Sequence, residues 1–260
     1  EPQELLSSAK WGYLYQGQIY RWQQRRRGSP ALDLPPTAYV HYLQNHDQVA
    51  DYAMGCRAHQ LAGLAQYRAM TALLILMPQT PLLFQGQEYA ANQPFYFFSD
   101  HNPSLAKLIR KGRAKEMSQF PSVAHHLLEI LPDPCAEQTF LACKLDVNER
   151  DASPVSQCIY RLHRDLLRLR RDEKTFSRVQ QRGNVDGAVL GPGCFVLRFF
   201  GENEDDRLLI VNLHRDLHLA VAPEPLLAPP DGKSWDTLWT SEHPDYGGTG
   251  AAALETEGED

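Results

Sequence analysis

The run Leu43-Gln44-Asn45-His46-Asp47-Gln48 carries the sharpest chemical signal in the sequence. It follows residues 38–43 (AYVHYL), which are rich in aromatic and β-branched side chains and predict a strand. Polar residues placed directly after a buried strand sit where α/β folds keep their ligand sites. An Asp beside a His can grip vicinal hydroxyls, because the carboxylate accepts two O–H bonds and the imidazole donates one. The same residues also suit a strand end closed by turn hydrogen bonds, and spacing alone leaves both readings open. Two weaker pairs are Gln87-Glu88, after the apolar run 80–84 (TPLLF), and Asp100-His101, after the aromatic run 94–98. For each, loop scaffolding is the plainer alternative. Phe95, Tyr96, Phe97 and Phe98 read as packing more readily than as ligand platforms.

The elements that would position these residues follow from periodicity. Residues 61–77 place Leu64, Tyr67, Met70, Leu73, Leu74 and Met77 on one helical face, and Pro78 ends the run. The order strand, polar tip, helix, strand, polar tip predicts a βαβ unit with neighbouring parallel strands. Upstream, residues 3–27 predict a helix, weakened by Gly12 and Gly17, with a solvated basic end at Arg21 and Arg25–Arg27 and a stop at Gly28. Residues 89–150 read as loop with helical pieces, His125 and His126 lying on a helix surface. Residues 154–172 predict an amphipathic helix with Ile159, Leu162, Leu166 and Leu169 opposite Arg161, Arg164, Asp165, Arg168 and Arg171. Beyond residue 175 the character changes. Short alternating runs at 188–190, 195–200, 207–213, 218–221 and 235–239, parted by Gly, Asn and Asp turns, predict an all-β second domain. The expected division is therefore 1–174 and 175–260.

Composition bounds the function. The chain has 260 residues, 43% hydrophobic and 22% charged, which are ordinary globular values and exclude a disordered, collagenous or coiled-coil chain. Lys and Arg number 26 against 32 Asp and Glu, a net −6, so nucleic acid and anionic membranes are not the expected partners. The apolar run 72–77 falls far short of the roughly 18 residues of a spanning helix. Five cysteines, an odd number with no C-x-x-C pair, suggest reduced thiols and a cytoplasmic protein. No cluster predicts a metal, since His214 and His218 fall in a strand-like setting. No cofactor is expected.

A strand ending in Asn45-His46-Asp47 resembles the signature after the seventh barrel strand in the α-amylase clan of glycoside hydrolases. QNHDQV at 44–49, TPLLFQGQEYAA at 80–91, PFYFFSDH at 94–101, GRAKEMSQFP at 112–121 and the segment 223–250 ending in YGGTG narrow the resemblance. Together they resemble the malto-oligosyltrehalose trehalohydrolases, in order and over nearly the whole chain. Ala50-Asp51-Tyr52 and Cys56 depart from that pattern. The resemblance implies a retaining hydrolase on a (β/α)8 TIM barrel, cutting the α-1,4 bond next to the trehalose end of maltooligosyl trehalose, or acting on a related α-glucan. Asp47 then matches the carboxylate that stabilises the transition state. His46 and Asn45 are expected to bind substrate, with Gln87, Glu88, Asp100 and His101 as further contacts. The nucleophile and acid/base carboxylates, roughly 5–5.5 Å apart in retaining enzymes, belong to strands that nothing in this chain resembles. The expected fold is therefore the last two strands of the barrel with their helices, then a small antiparallel β-sandwich. As a C-terminal fragment the chain is expected to be inactive alone. Other readings are a branching or α-1,6-glucosidic enzyme of the clan, or a non-catalytic carbohydrate-binding scaffold.

Overall fold

The structure is a computed structural model that describes residues 1–31, 33–52, 54–118, 131–177, 183–214, 217–219 and 223–251. His125 and His126, the end of the 112–121 motif and part of the 218–221 run lie outside the described residues.

The first helix, α1 (Pro2–Trp11), is far shorter than the 3–27 reading. A reciprocal capping box between Glu1 and Glu4 and Pro2 in the first turn start it. Gly12 ends it with φ +93, and a Cβ there would meet the Tyr39 ring at 2.5 Å. The basic stretch that looked like a helix end is instead a hairpin of β1 (Ile19–Tyr20) and β2 (Arg25–Arg26), with Arg27 stacked on the Tyr20 ring at 4.6 Å.

The βαβ order survives with shorter strands. β3 (Val40–His41) pairs in parallel with β4 (Thr80–Pro81). Between them lie α2 (His46–Asp51), α3 (Ala58–Ala62) and α4 (Leu64–Leu76). Gly63, at φ +79, divides the single helix expected over 61–77 into the last two. Next come α5 (Pro103–Met117), α6 (Glu137–Ala142), α7 (Glu149–Ala152), α8 (Pro154–Asp172) and α9 (Lys174–Ser177). α8 has the bounds its periodicity predicts. Ser153 caps it by accepting from the Ser156 N–H at 3.3 Å, with Pro154 in the first turn.

The described β region is one antiparallel sheet, β5 (Val185–Gly191), β6 (Cys194–Phe199) and β7 (Arg207–Asn212), in that order. No second sheet pairs with or faces it among the described residues. Residues 217–219 and 235–239 form no strand. Trp235 instead donates its indole N–H to the Leu227 carbonyl at 2.7 Å, and Trp239 donates to the Tyr246 hydroxyl at 3.2 Å. A lone sheet must bury a face on helices. Here Phe195, Leu197, Phe199, Leu209 and Val211 join Leu6 and Ala9 of α1, Tyr67 and Ile75 of α4, and Ile159, Leu162 and Leu166 of α8 in one cluster. That core runs straight across the expected boundary at 174/175. Gly187 shows how closely α1 approaches: a Cβ there would lie 2.6 Å from Leu6 Cδ2. Lys10 of α1 also reaches Asp186 of β5 at 2.5 Å. Polar ties bind the same layers. Arg170 of α8 donates to the carbonyls of Ile75, Met77 and Gln79, just where α4 runs out of amide partners. Arg68 of α4 donates through Nη2 to both Glu242 oxygens at 2.8 Å.

Candidate active site

β3 and β4 run in parallel, so their C-terminal ends emerge on one side of the pair. From β3 the chain passes through Gln44 into the first turn of α2. Asn45 is the cap of that helix. Its side-chain oxygen accepts from the N–H of Asp47 at 2.8 Å and of Gln48 at 3.4 Å, and the Gln48 side chain accepts from the Asn45 N–H at 3.1 Å. Turn bonding at this strand end is therefore real, and Asn45 supplies it. The side chains of His46 and Asp47 take no part in the capping. They stand 69% and 70% exposed, with His46 Nε2 3.4 Å from Asp47 Oδ1. Two adjacent polar groups free of scaffolding duty can act together on a ligand's hydroxyls.

From β4 the chain turns at Gly86 into a short 3-10 segment, Gln87–Tyr89. Gln87 is fully buried. Its side-chain oxygen accepts from the Phe84 N–H at 3.3 Å, and its carbonyl accepts from the Tyr67 hydroxyl at 2.7 Å. Its place is inside the turn, not on a surface. Glu88 is half-buried, while Asp100 and His101 are exposed. In the aromatic segment between them Phe95 and Tyr96 are half-buried, while Phe97 and Phe98 are exposed. Phe84, Phe95, Phe98 and Phe140 form an edge-to-face chain with centroids 5.1–5.8 Å apart.

Two arginines that sequence reasoning did not single out join these segments. Arg57 is completely buried and donates to the carbonyls of Gln93 and Gln85, both at 2.7 Å. The next residue, Ala58, donates its N–H to the Gln44 side chain at 2.8 Å. Arg113 of α5 holds Asp51 of α2 at 2.7 Å, donates to the Ala50 carbonyl at 2.6 Å and lies over the Phe97 ring. Asp51 thus has a structural partner at one of the positions where the chain departs from the family pattern. Neither arginine shows a sequence signal beyond its identity, because an arginine near a polar tip looks like an ordinary surface cation.

Two clefts of about 290 and 350 Å³ lie elsewhere, one lined by His59, Asn92 and Ser156 among others, the second by residues between 237 and 246. Neither includes His46 or Asp47, which stand on an open surface beside the parallel pair. Beside the first cleft, burial pushes the His59 imidazole down to about 4, and it does the same to His163 of α8. Among the described residues, no group of three His, Cys, Asp or Glu could hold a metal ion, and no helix is long and apolar enough to cross a membrane. All five cysteines are free thiols.

Residues 182–257 match a family described as a domain of unknown function, DUF3459. Over 241 residues, 89% of this chain, the sequence is 38% identical to the malto-oligosyltrehalose trehalohydrolase of Deinococcus radiodurans, covering 39% of that protein. The enzyme of the same name from Saccharolobus solfataricus is 29% identical over 77% of this chain and 33% of its own length. Among solved structures, a Salmonella typhimurium protein assigned as an alpha amylase superposes with a TM-score of 0.69. It is 32% identical and covers 81% of this chain and 35% of its own. The chain thus spans about two fifths of the length of the Deinococcus relative or less for the others. Over that span the chain is similar in sequence to malto-oligosyltrehalose trehalohydrolases and in fold to the Salmonella protein.

Proposed function

We propose that this chain is the C-terminal part of a retaining trehalohydrolase that releases trehalose from maltooligosyl trehalose, with β3 and β4 as the last two strands of its barrel. The carrying observation is the exposed His46–Asp47 pair, 3.4 Å apart, at the C-terminal end of a parallel strand. Barrel enzymes keep their chemistry at that end. Asp47 stabilises the positive charge that develops on the sugar ring, and His46 donates to a ring hydroxyl. Asn45 orients the pair as helix cap. Glu88, Asp100 and His101 are outer substrate contacts, and buried Gln87 shapes the turn that carries Glu88. The nucleophile and the acid/base lie outside residues 1–260. One carboxylate beside an imidazole cannot both protonate the leaving oxygen and attack the anomeric carbon.

The test is trehalose release from maltooligosyl trehalose by two preparations, the full-length protein and residues 1–260 alone. The expected result is turnover by the first, on the order of 1–10³ per second, and none by the second. An inactive full-length protein that still binds the glucan would favour a carbohydrate-binding scaffold and overturn the proposal.

A further inference from the structure

We infer that Arg57 is a positioning residue that sets the Gln85–Gln93 turn against the segment leading into His46 and Asp47. The inference rests on the site reading above. Arg57 has no exposed surface, so it cannot touch a glucan. Its guanidinium bridges two carbonyls eight residues apart, those of Gln85 and Gln93, each at 2.7 Å, and lies over the Phe84 ring at 5.5 Å. Its own backbone is fixed as well. The Arg57 N–H donates to Gln60 at 2.8 Å, and the neighbouring Ala58 N–H holds Gln44, one residue before Asn45. The Phe95 N–H, donating to the Gly55 carbonyl at 3.2 Å, closes the same junction. Three segments therefore meet at this junction: the turn after β4 through the Arg57 side chain, and the end of β3 and the start of α3 through the backbone N–H groups of Ala58 and Arg57.

The arrangement is a poor way to gain stability. Arg57 is paired with no carboxylate among the described residues, and burial pushes its guanidinium down from its usual range. Its Nη2 has no partner among the described residues, nor have Gln44 Nε2 and Gln93 Oε1 beside it. A buried cation with unmet hydrogen bonds is costly compared with an apolar side chain of similar volume. What it supplies is geometry, because a planar fork holds two acceptors in a fixed relation where the freely rotating donors of an ammonium do not.

The substitution Arg57→Lys keeps the charge and removes the fork. Amide hydrogen exchange, followed by mass spectrometry on residues 84–93 and on β6 as internal control, reads positioning directly. The expected result is exchange at least about tenfold faster in 84–93 with β6 unchanged. In the full-length protein kcat should fall roughly 10–100-fold while KM moves less than about threefold, since a displacement near 1 Å costs that much in a positioned site. Millimolar guanidinium should restore part of kcat to Arg57→Ala. Unchanged exchange in 84–93, or equal acceleration in β6, would overturn the inference, the latter by showing a merely structural role. If the unsubstituted full-length protein releases no trehalose, the proposed function fails, and the exchange comparison still decides Arg57.

Discussion

Around Phe195, Leu162 and Tyr67 the chain closes on itself, whereas around Val40 and Leu82 it does not. The first region joins three helices and a sheet into one cluster whose central side chains are at most a few per cent exposed. In the second, two strands of two residues each leave Val40 54%, Tyr42 42% and Leu82 39% exposed. In this region Gln44, Arg57, Gln87 and Gln93 carry buried polar atoms with no partner among the described residues, as Thr71 and His163 do in the first. The self-sufficient region carries no candidate chemistry, and the region with the candidate chemistry is the less self-sufficient one. That division follows from what each must do. A core gains by shielding its apolar side chains, while a site must leave some groups open for a ligand.

Truncations should expose this difference. Phe195→Ala removes a fully buried ring from the cluster and should cost about 3–5 kcal/mol. Leu82→Ala, on the open strand pair, should cost under about 1 kcal/mol. Equilibrium urea unfolding compares them, and similar values would erase the contrast.

Acid should also act on the closed region. His163 is neutral in the fold: its Nδ1–H donates to the Ile159 carbonyl at 2.9 Å, and Nε2 is buried without a partner among the described residues. Its pKa lies at about 4 against an ordinary 6.5, and His59 shifts to about 4 as well. Both folded values are depressed, so protonation favours the unfolded chain. Their contribution is fully present above pH 6.5 and is lost as pH falls from 6.5 toward 4. For His163 the loss is about 3 kcal/mol. Melting curves at stepped pH should show it, and His163→Asn should flatten the slope.

Arg68 is a smaller case. Arg68→Met strands Glu242, which is one-third exposed, so the cost should be about 2–3 kcal/mol rather than the full penalty of a buried pair. Smallest of all, Asn45→Ala removes the α2 cap and should cost about 1 kcal/mol by the same unfolding measurement.

The sequence was most legible where one period ran without a glycine. α8 stands at 154–172 because four leucine and isoleucine positions repeat over nineteen residues with Pro and Ser at the start. The 3–27 and 61–77 helices failed or split at Gly12 and Gly63, which adopt φ +93 and +79 that other residues avoid. The runs 195–200 and 207–213 were readable by alternation. What covers the sheet was not, since alternation cannot say that α1 and α4 pack against it. At the candidate site, the exposed pair His46 and Asp47 stands after β3, where the sequence placed it. The inward turn of Gln87 and the bridging by Arg57 depend on contacts between segments up to 36 residues apart, which no local pattern encodes.

The central claim is that Asp47 acts on a developing charge rather than on the fold. Asp47→Asn in the full-length protein tests it most directly, with steady-state kinetics and a melt on the same preparation. Asn keeps the shape and removes the charge. The ground-state sugar is neutral, so KM should change little. Loss of about 3–5 kcal/mol of transition-state stabilisation should lower kcat by roughly 10²–10⁴. Asp47 is 70% exposed and makes no capping bond through its side chain, so Tm should hold within about 2 °C. A lowered Tm with turnover largely intact would contradict the account and return Asp47 to the scaffolding of the strand end.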